Sequence, residues 1–234
     1  MDFDDRCVMV TGATGNLGRA VAAAFADRGA RLVLLGSRPE SLRQAFGNGD
    51  ERRMLVPVDL LDQGQVDAAV ASAVARFGHI DVLCNLAGGF RMGQAVHETP
   101  DAGWTFLMDL NVRTLVHAAH AVVPRMIEAG GGRIVNVGAY AAQKGAAGMG
   151  AYVASKAAVI RITETLSAEL RERGINVNCV LPTVIDTPEN RAAMPAADSA
   201  RWVAPADLAQ VIAFLASDAA RAIHGAALPV TGLS

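Results

Sequence analysis

Tyr152 and Lys156 stand four residues apart in AYVASKAAV, residues 151–159. On a helix that spacing puts both side chains on one face. An ammonium beside a phenol lowers the phenol's pKa and fits it to exchange a proton near neutral pH. The chain has two Lys, Lys144 and Lys156, and otherwise uses Arg for its permanently basic side chains. Keeping a Lys here suggests a need for a compact point charge with rotatable donors. Tyr140 and Lys144 repeat the spacing, so context must choose. Residues 141–150, AAQKGAAGMG, read as an Ala/Gly loop, whereas 151–173 reads as a long amphipathic helix ending in Arg171, Arg173 and Gly174. Tyr152/Lys156 is the pair expected to act.

A second group of residues suits a dinucleotide. Gly12, Gly15 and Gly18 lie between the first apolar run and the first helix, where backbone N–H groups and the helix dipole can hold a pyrophosphate. With Thr14, Asn16 and Leu17 they form TGATGNLG, spaced G-x-x-G-x-x-G. After the second apolar run come Ser37 and Arg38, with no acid to hold a ribose 2′-hydroxyl. Guanidinium beside hydroxyl suits a 2′-phosphate, so NADP(H) is favoured and NAD(H) is the alternative. Asp59 and Leu60, after the third run, are placed to reach the adenine, although Asp also caps helices at such sites.

The elements that must position these groups alternate along the chain. Apolar runs at 7–10, 31–35, 54–58, 80–84, 133–137, 175–181 and 226–230 read as strands. Helical stretches fall at about 19–28, 39–46, 62–77, 104–129, 152–173 and 205–216, with Pro124 expected to kink the fourth. Continuous apolar strands between helices predict one α/β, doubly wound (Rossmann) domain over 1–234. Its parallel sheet of about seven strands would be covered by helices on both faces. Apolar residues make up 52% of the chain and aromatics 5%, which implies a core of Ala, Val, Leu and Ile. Net charge is −2 with no basic block, so neither nucleic acid nor an anionic membrane is an expected partner. No uncharged apolar run reaches membrane-spanning length. The acidic start, MDFDDR, runs directly into a strand and leaves no room for a targeting peptide, so a cytoplasmic location is expected. Cys7, Cys84 and Cys179 sit far apart in apolar runs and read as buried free thiols. The five His lack ligand spacing, so no metal is expected.

Taken together, the motifs resemble those of the short-chain dehydrogenase/reductase family over essentially the whole chain. They are TGATGNLG, Asp59, NLAG at 85–88, Asn111 in LNVRT, IVNV at 134–137, YVASK at 152–156 and VLPTVIDTP at 180–188. The C-terminal FLASDAARAIHGAALPVTG is also similar to family sequences. The resemblance implies hydride transfer with Tyr152 as proton donor or acceptor. Lys156 would hold the nicotinamide ribose, and Asn111 would bend its helix and anchor a proton-relay water. Asn85, Ala87 and Gly88 would line the ribose; Pro182, Ile185 and Thr187 would meet the nicotinamide end.

Three positions depart from the family pattern. Asn16 takes the place of the middle glycine, and Leu86 that of the second Asn in NNAG. Ala139 stands thirteen residues before the Tyr, where the family has a catalytic Ser. Loss of one such donor typically costs ~10²–10³ in rate where an enzyme depends on it. One branch of the family, quinoid dihydropteridine reductase, lacks this Ser. The chain resembles that branch in GAYAAQKGAAGMGAY, in VLPTVIDTPENRAAMPAADSARWVAP and in Phe90 after AGG. That branch carries an acid after strand two, which this chain lacks.

Phe90, Met92, Ala139, Tyr140, Gln143, Met149, Met194 and Trp202 are candidates for the substrate pocket, Tyr140 and Gln143 being those able to replace the lost hydroxyl. Residues 188–203 lack periodicity and suit a lid. The apolar face Val159/Ile162/Leu166/Leu170 suggests burial, and the long helices of the family commonly pair between subunits. A homodimer or homotetramer is therefore expected. The favoured reading is an NAD(P)(H)-dependent oxidoreductase acting on a small carbonyl or conjugated, pterin-like substrate. A 3-oxoacyl or ketone reductase with another group replacing the Ser is the alternative, and a catalytically silent NADP(H) sensor is a third.

Overall fold

A computed structural model describes residues 3–234. Seven strands form one parallel sheet: β1 (Cys7–Thr11), β2 (Arg31–Gly36), β3 (Arg53–Pro57), β4 (Val82–Asn85), β5 (Gly132–Val137), β6 (Ile175–Pro182) and β7 (Ala227–Val230). Their order is β3-β2-β1-β4-β5-β6-β7. Strands β1, β2 and β4 are apolar on both sides because helices cover both faces of the sheet there. Val8, Val10, Leu32 and Leu34 point to one face, where they meet α1 (Asn16–Ala26), α2 (Pro39–Phe46) and α8 (Pro205–Leu215). Cys7, Met9, Val33 and Leu35 point to the other, against α3 (Gln63–Phe77) and α5 (Thr114–Glu128). The C-terminal end of α6 (Gly150–Leu170) closes that second layer through Leu166 and Leu170. Each such Val or Leu, fully buried, contributes ~1.5–3 kcal/mol. The doubly wound domain is therefore as its strand pattern predicts, and all three Cys are buried free thiols.

Strand order reverses between β1 and β4, which pair in register from Val8↔Val82 to Thr11↔Asn85. A crevice opens beyond the carboxyl ends of strands at such a point. Thr11 shapes it by accepting from Leu86 N and Ala87 N at 3.0 and 3.2 Å, tying the loop after β4 to the end of β1. Leu86, in place of an Asn, packs on the core instead.

The expected single helix over 104–129 is divided. α4 (Asp101–Met108) passes into a π-helical turn at Asp109–Arg113 before α5 begins. Pro124 lies inside α5, so the interruption falls at Asn111 and not at the proline. A helix running through Pro124 leaves the His120 carbonyl without its partner, which is tolerable because His120 is exposed. The stretch after β6 also holds order that its composition hides: α7 (Pro188–Ala193) and a short turn at Ser199–Arg201. Its base is closed by Val203 N donating to Val184 O and Asp186 N to Val203 O, at 2.9 and 2.8 Å.

Candidate active site

α6 presents the Tyr–Lys pair at the carboxyl end of the sheet. Lys156 is buried, and its Nζ donates to Val137 O, the last carbonyl of β5, at 2.8 Å. Burial pushes its pKa down to about 8. Tyr152 packs against Ala139 and its apolar cluster, and burial pushes the phenol up to about 12. The depression expected from a neighbouring ammonium is thus not realised in the free chain. Desolvation alone sets the shift, and the ammonium is engaged by a carbonyl. A phenol in this state is a proton donor at neutral pH.

The π-turn brings the Asn111 side chain inward, where its carboxamide is fully used. Gly89 N donates to Asn111 Oδ1 at 2.8 Å, while Asn111 Nδ2 donates to Gly89 O at 3.1 Å and to Ser155 Oγ at 3.0 Å. Ser155 in turn donates to Tyr152 O at 2.7 Å. One amide therefore ties the loop after β4 to the helix that carries the Tyr. Wide turns of this kind recur at functional sites because they aim one side chain off the regular ladder. Beside it, a Cβ on Gly88 would stand 2.9 Å from Asn111 Oδ1 and 3.1 Å from Lys156 Nζ, so this backbone reaches Lys156 only as glycine. Below, Asn85 Nδ2 donates to Asn136 Oδ1 and Asn136 Nδ2 to Thr163 Oγ1, each at 2.9 Å. Asn85 Oδ1 is buried with no hydrogen-bond partner among the described residues.

The glycine turn is built for close approach. Gly12 has φ +63°, and a Cβ there would lie 2.9 Å from Ala87 N and Cα. A Cβ on Gly18 would fall 2.4 Å from Gly12 O, so α1 packs directly on the turn. Gly15 is the N-cap of α1 and meets nothing closer than 3.4 Å. Neither a capping side chain nor an acid occupies the first turn, leaving its N–H groups free for an anion. Thr14 O takes Arg19 Nε at 2.9 Å, and Leu17 packs on the core. Ser37 and Arg38 are exposed, and Arg38 has no ion pair among the described residues. Asp62, not Asp59, caps α3, accepting from Gln65 N at 3.1 Å. Asp59 is exposed and turns back only on Leu61 N, while Leu60 O is held by His117 Nδ1 at 2.9 Å. Free N–H groups, glycine cradles and an orphaned amide oxygen along one crevice fit a dinucleotide.

A family model described as short chain dehydrogenase matches residues 6–197. The chain belongs to the short-chain dehydrogenase family. It is 35% identical over 242 residues to D-threitol dehydrogenase of Mycolicibacterium smegmatis, covering 98% of this chain and 93% of that one. To cis-4-hydroxycyclohexanecarboxylate dehydrogenase of Sinomonas cyclohexanicum it is 33% identical over 240 residues, covering 98% and 96%. An NAD+-bound xylitol dehydrogenase superposes with a TM-score of 0.91 at 29% identity, over 99% of this chain and all of that one. The protein is accordingly a nicotinamide-dependent oxidoreductase.

Around Tyr152 this short-chain dehydrogenase differs from a site with a serine clamp. Ala139 is buried and contributes a methyl where the hydroxyl would stand. Phe90 lies edge-on to Tyr152, ring centroids 4.7 Å apart at 87°. Phe90, Met92, Tyr140 and Met194 are exposed apolar groups on the loops around the crevice, and Gly93 N donates to Gly148 O at 2.8 Å to join two of those loops. Gln143 lines a cavity of about 280 Å³ with Ala142, Ala157, Ile160, Arg161 and Leu181. Ala142, Ala157, Ile160 and Leu181 also belong to the apolar cluster against which Tyr152 packs, so Gln143 and Tyr152 border the same cluster. Met149 is the N-cap residue of α6, and Trp202 is half-buried beside the bridge at Val203. Pro182 ends β6, Ile185 pairs with Val203, and Thr187 caps α7 through Asn190 N at 3.1 Å. Thr11 and Ser155, which fix the loop and the helix around the pair, fall inside TGATGNLG and YVASK but carry no role in the sequence reading.

Proposed function

We propose that the protein is an NADP(H)-preferring reductase of a small, planar, conjugated carbonyl or imine, a quinoid pterin being the specific candidate. The observation that carries this reading is the surroundings of Tyr152: a methyl at Ala139 and an aromatic edge from Phe90. A plain ketone needs a hydroxyl to hold its oxygen as charge develops. A conjugated, electron-poor ring spreads that charge and needs one proton donor and a flat apolar wall. A nicotinamide dinucleotide supplies the hydride when bound. Gly12, Gly18 and the open first turn of α1 hold its phosphates, Asn85 and Gly88 line its ribose, and Lys156 lies within reach of the same ribose. Tyr152 gives its proton to the oxygen or nitrogen that gains charge as hydride is added. Its raised pKa keeps it protonated for reduction at neutral pH.

Arg38, exposed beside Ser37 and without an ion pair among the described residues, supports preference for a 2′-phosphate. Residues 188–203 act as a lid hinged at the Ile185–Val203 bridge. The protein assembles as a homodimer or homotetramer, a reading supported by Phe106, Met108, Val116 and Ile127, exposed along α4 and α5, and we propose that it works in the cytoplasm. The test is oxidation of NADPH and NADH with a quinoid dihydropterin, a 3-oxoacyl thioester and a plain cyclic ketone. Turnover of the pterin with NADPH is expected, and turnover of the thioester alone would refute the substrate class. Arg38→Glu is expected to move the preference towards NADH, and an unchanged ratio of the two affinities would refute the role of Arg38.

A further inference from the structure

Among the described residues, the segment 187–198 makes one side-chain hydrogen bond to the rest of the molecule outside its own hinge: Asn16 Nδ2 donates to Glu189 Oε2 at 2.8 Å. Two further side-chain contacts tie it to its own base. Asn190 Nδ2 donates to Ile185 O at 2.8 Å, and Arg191 grips Asp186 through two contacts of 2.6 Å. The segment is thus a small unit fixed at its base and held at one further point. That point is chemically informative. Asn16 is the first residue of α1, in the place of the motif's middle glycine, and it faces a helix terminus with no cap and no acid of its own. Glu189 brings the negative charge. Its carboxyl is held below the usual range first by its own backbone N–H, then by the Thr187 hydroxyl, with Asn16 and the positive charge of Arg19 adding to this. The carboxylate therefore spans Asn16 on the phosphate turn and Thr187 at the nicotinamide end.

We infer that Glu189 is an electrostatic latch: its carboxylate holds 187–198 against the phosphate turn and competes with a dinucleotide's diphosphate for the N-terminus of α1. Two like charges cannot share one helix terminus at close range without cost, so diphosphate binding releases Glu189 and lets the segment re-seat over the ligand. The inference rests on the dinucleotide reading but not on which dinucleotide or substrate is used, since the diphosphate is common to both.

The test is fluorescence titration of NADPH and NADH into the wild type, Glu189→Gln and Asn16→Ala, with hydrogen–deuterium exchange of 187–202 in the ligand-free proteins. Glu189→Gln keeps an acceptor for Asn16 and removes the charge. It should tighten both dinucleotides by the same factor, about three- to tenfold at low salt, with the gain shrinking as salt rises. Asn16→Ala should speed exchange across 187–202. Unchanged or weaker binding by Glu189→Gln, or unchanged exchange in Asn16→Ala, would overturn the latch. A wild type that binds neither dinucleotide would instead remove the reading beneath it.

Discussion

Lys156→Met, followed by urea unfolding across pH, asks whether the active-site cation is held as the structure has it. Lys156 is 6% exposed, and its pKa falls from an ordinary 10.5 to about 8 in the fold. Below pH 8 both folded and unfolded chains carry the proton, and the fold bears the whole cost of burying the ammonium. Between 8 and 10.5 the unfolded chain still holds a proton that the folded chain has released, so this group's contribution to stability rises with pH. The slope is about 1.4 kcal/mol per pH unit, or about 3 kcal/mol over the window. Other groups act in the opposite sense. Burial raises the thiols of Cys7 and Cys179 from 9.0 to about 12 and about 11, and that of Cys84 further. Above pH 9 the unfolded chain therefore loses protons that the folded chain keeps, and stability falls; Tyr152 joins them above pH 10. The wild type should gain stability from pH 8 to about 9 and then lose it. Subtracting the Met variant isolates the Lys. Near pH 7 the variant should be the more stable by about 2 kcal/mol, which is the burial cost less about 1 for the lost bond to Val137 O. The gap should shift in favour of the wild type up to pH 10.5. A gap independent of pH would refute the account of Lys156.

The glycine turn makes an independent prediction. Gly12→Ala combines a left-handed φ with a backbone clash, and Gly18→Ala drives a methyl into Gly12 O; each should cost ~2–4 kcal/mol in urea unfolding. Gly15→Ala should stay within about 1 kcal/mol, and equal losses at all three would contradict the packing described. Ala139→Ser should raise turnover of a plain ketone towards the ~10²-fold that one oxyanion donor supplies, with little change for a conjugated ring. An unchanged ratio of the two rates would show that the missing hydroxyl does not set the substrate class.

Strands and long helices were legible because their apolar periods are local properties of the chain. The β1–α1 turn was legible because glycine at Gly12 and Gly18 answers to backbone clashes that no other residue survives. What escaped was order that depends on distant partners. The π-turn at Asp109–Arg113 exists because Asn111 reaches across to Gly89 and Ser155; the resemblance of LNVRT implies a bend there, but no local period marks it, whereas Pro124 announces a break that a solvent-facing carbonyl makes unnecessary. α7 is short and polar, and it stands on capping and ion-pair contacts that no apolar period marks. The phenol pKa needed the structure too, because spacing gives the neighbour but not the depth of burial.

The central claim is that Tyr152, and not the equally spaced Tyr140, delivers the proton. Tyr140 is 44% exposed on its loop, while Tyr152 is packed between Ala139 and Phe90 above Lys156. The most direct measurement is turnover and dinucleotide affinity of Tyr152→Phe and Tyr140→Phe side by side. Tyr152→Phe should lower kcat by ~10²–10⁴ with dinucleotide affinity retained, while Tyr140→Phe should stay near the wild type. If Tyr140→Phe were the more damaging change, the site described here would be the wrong one.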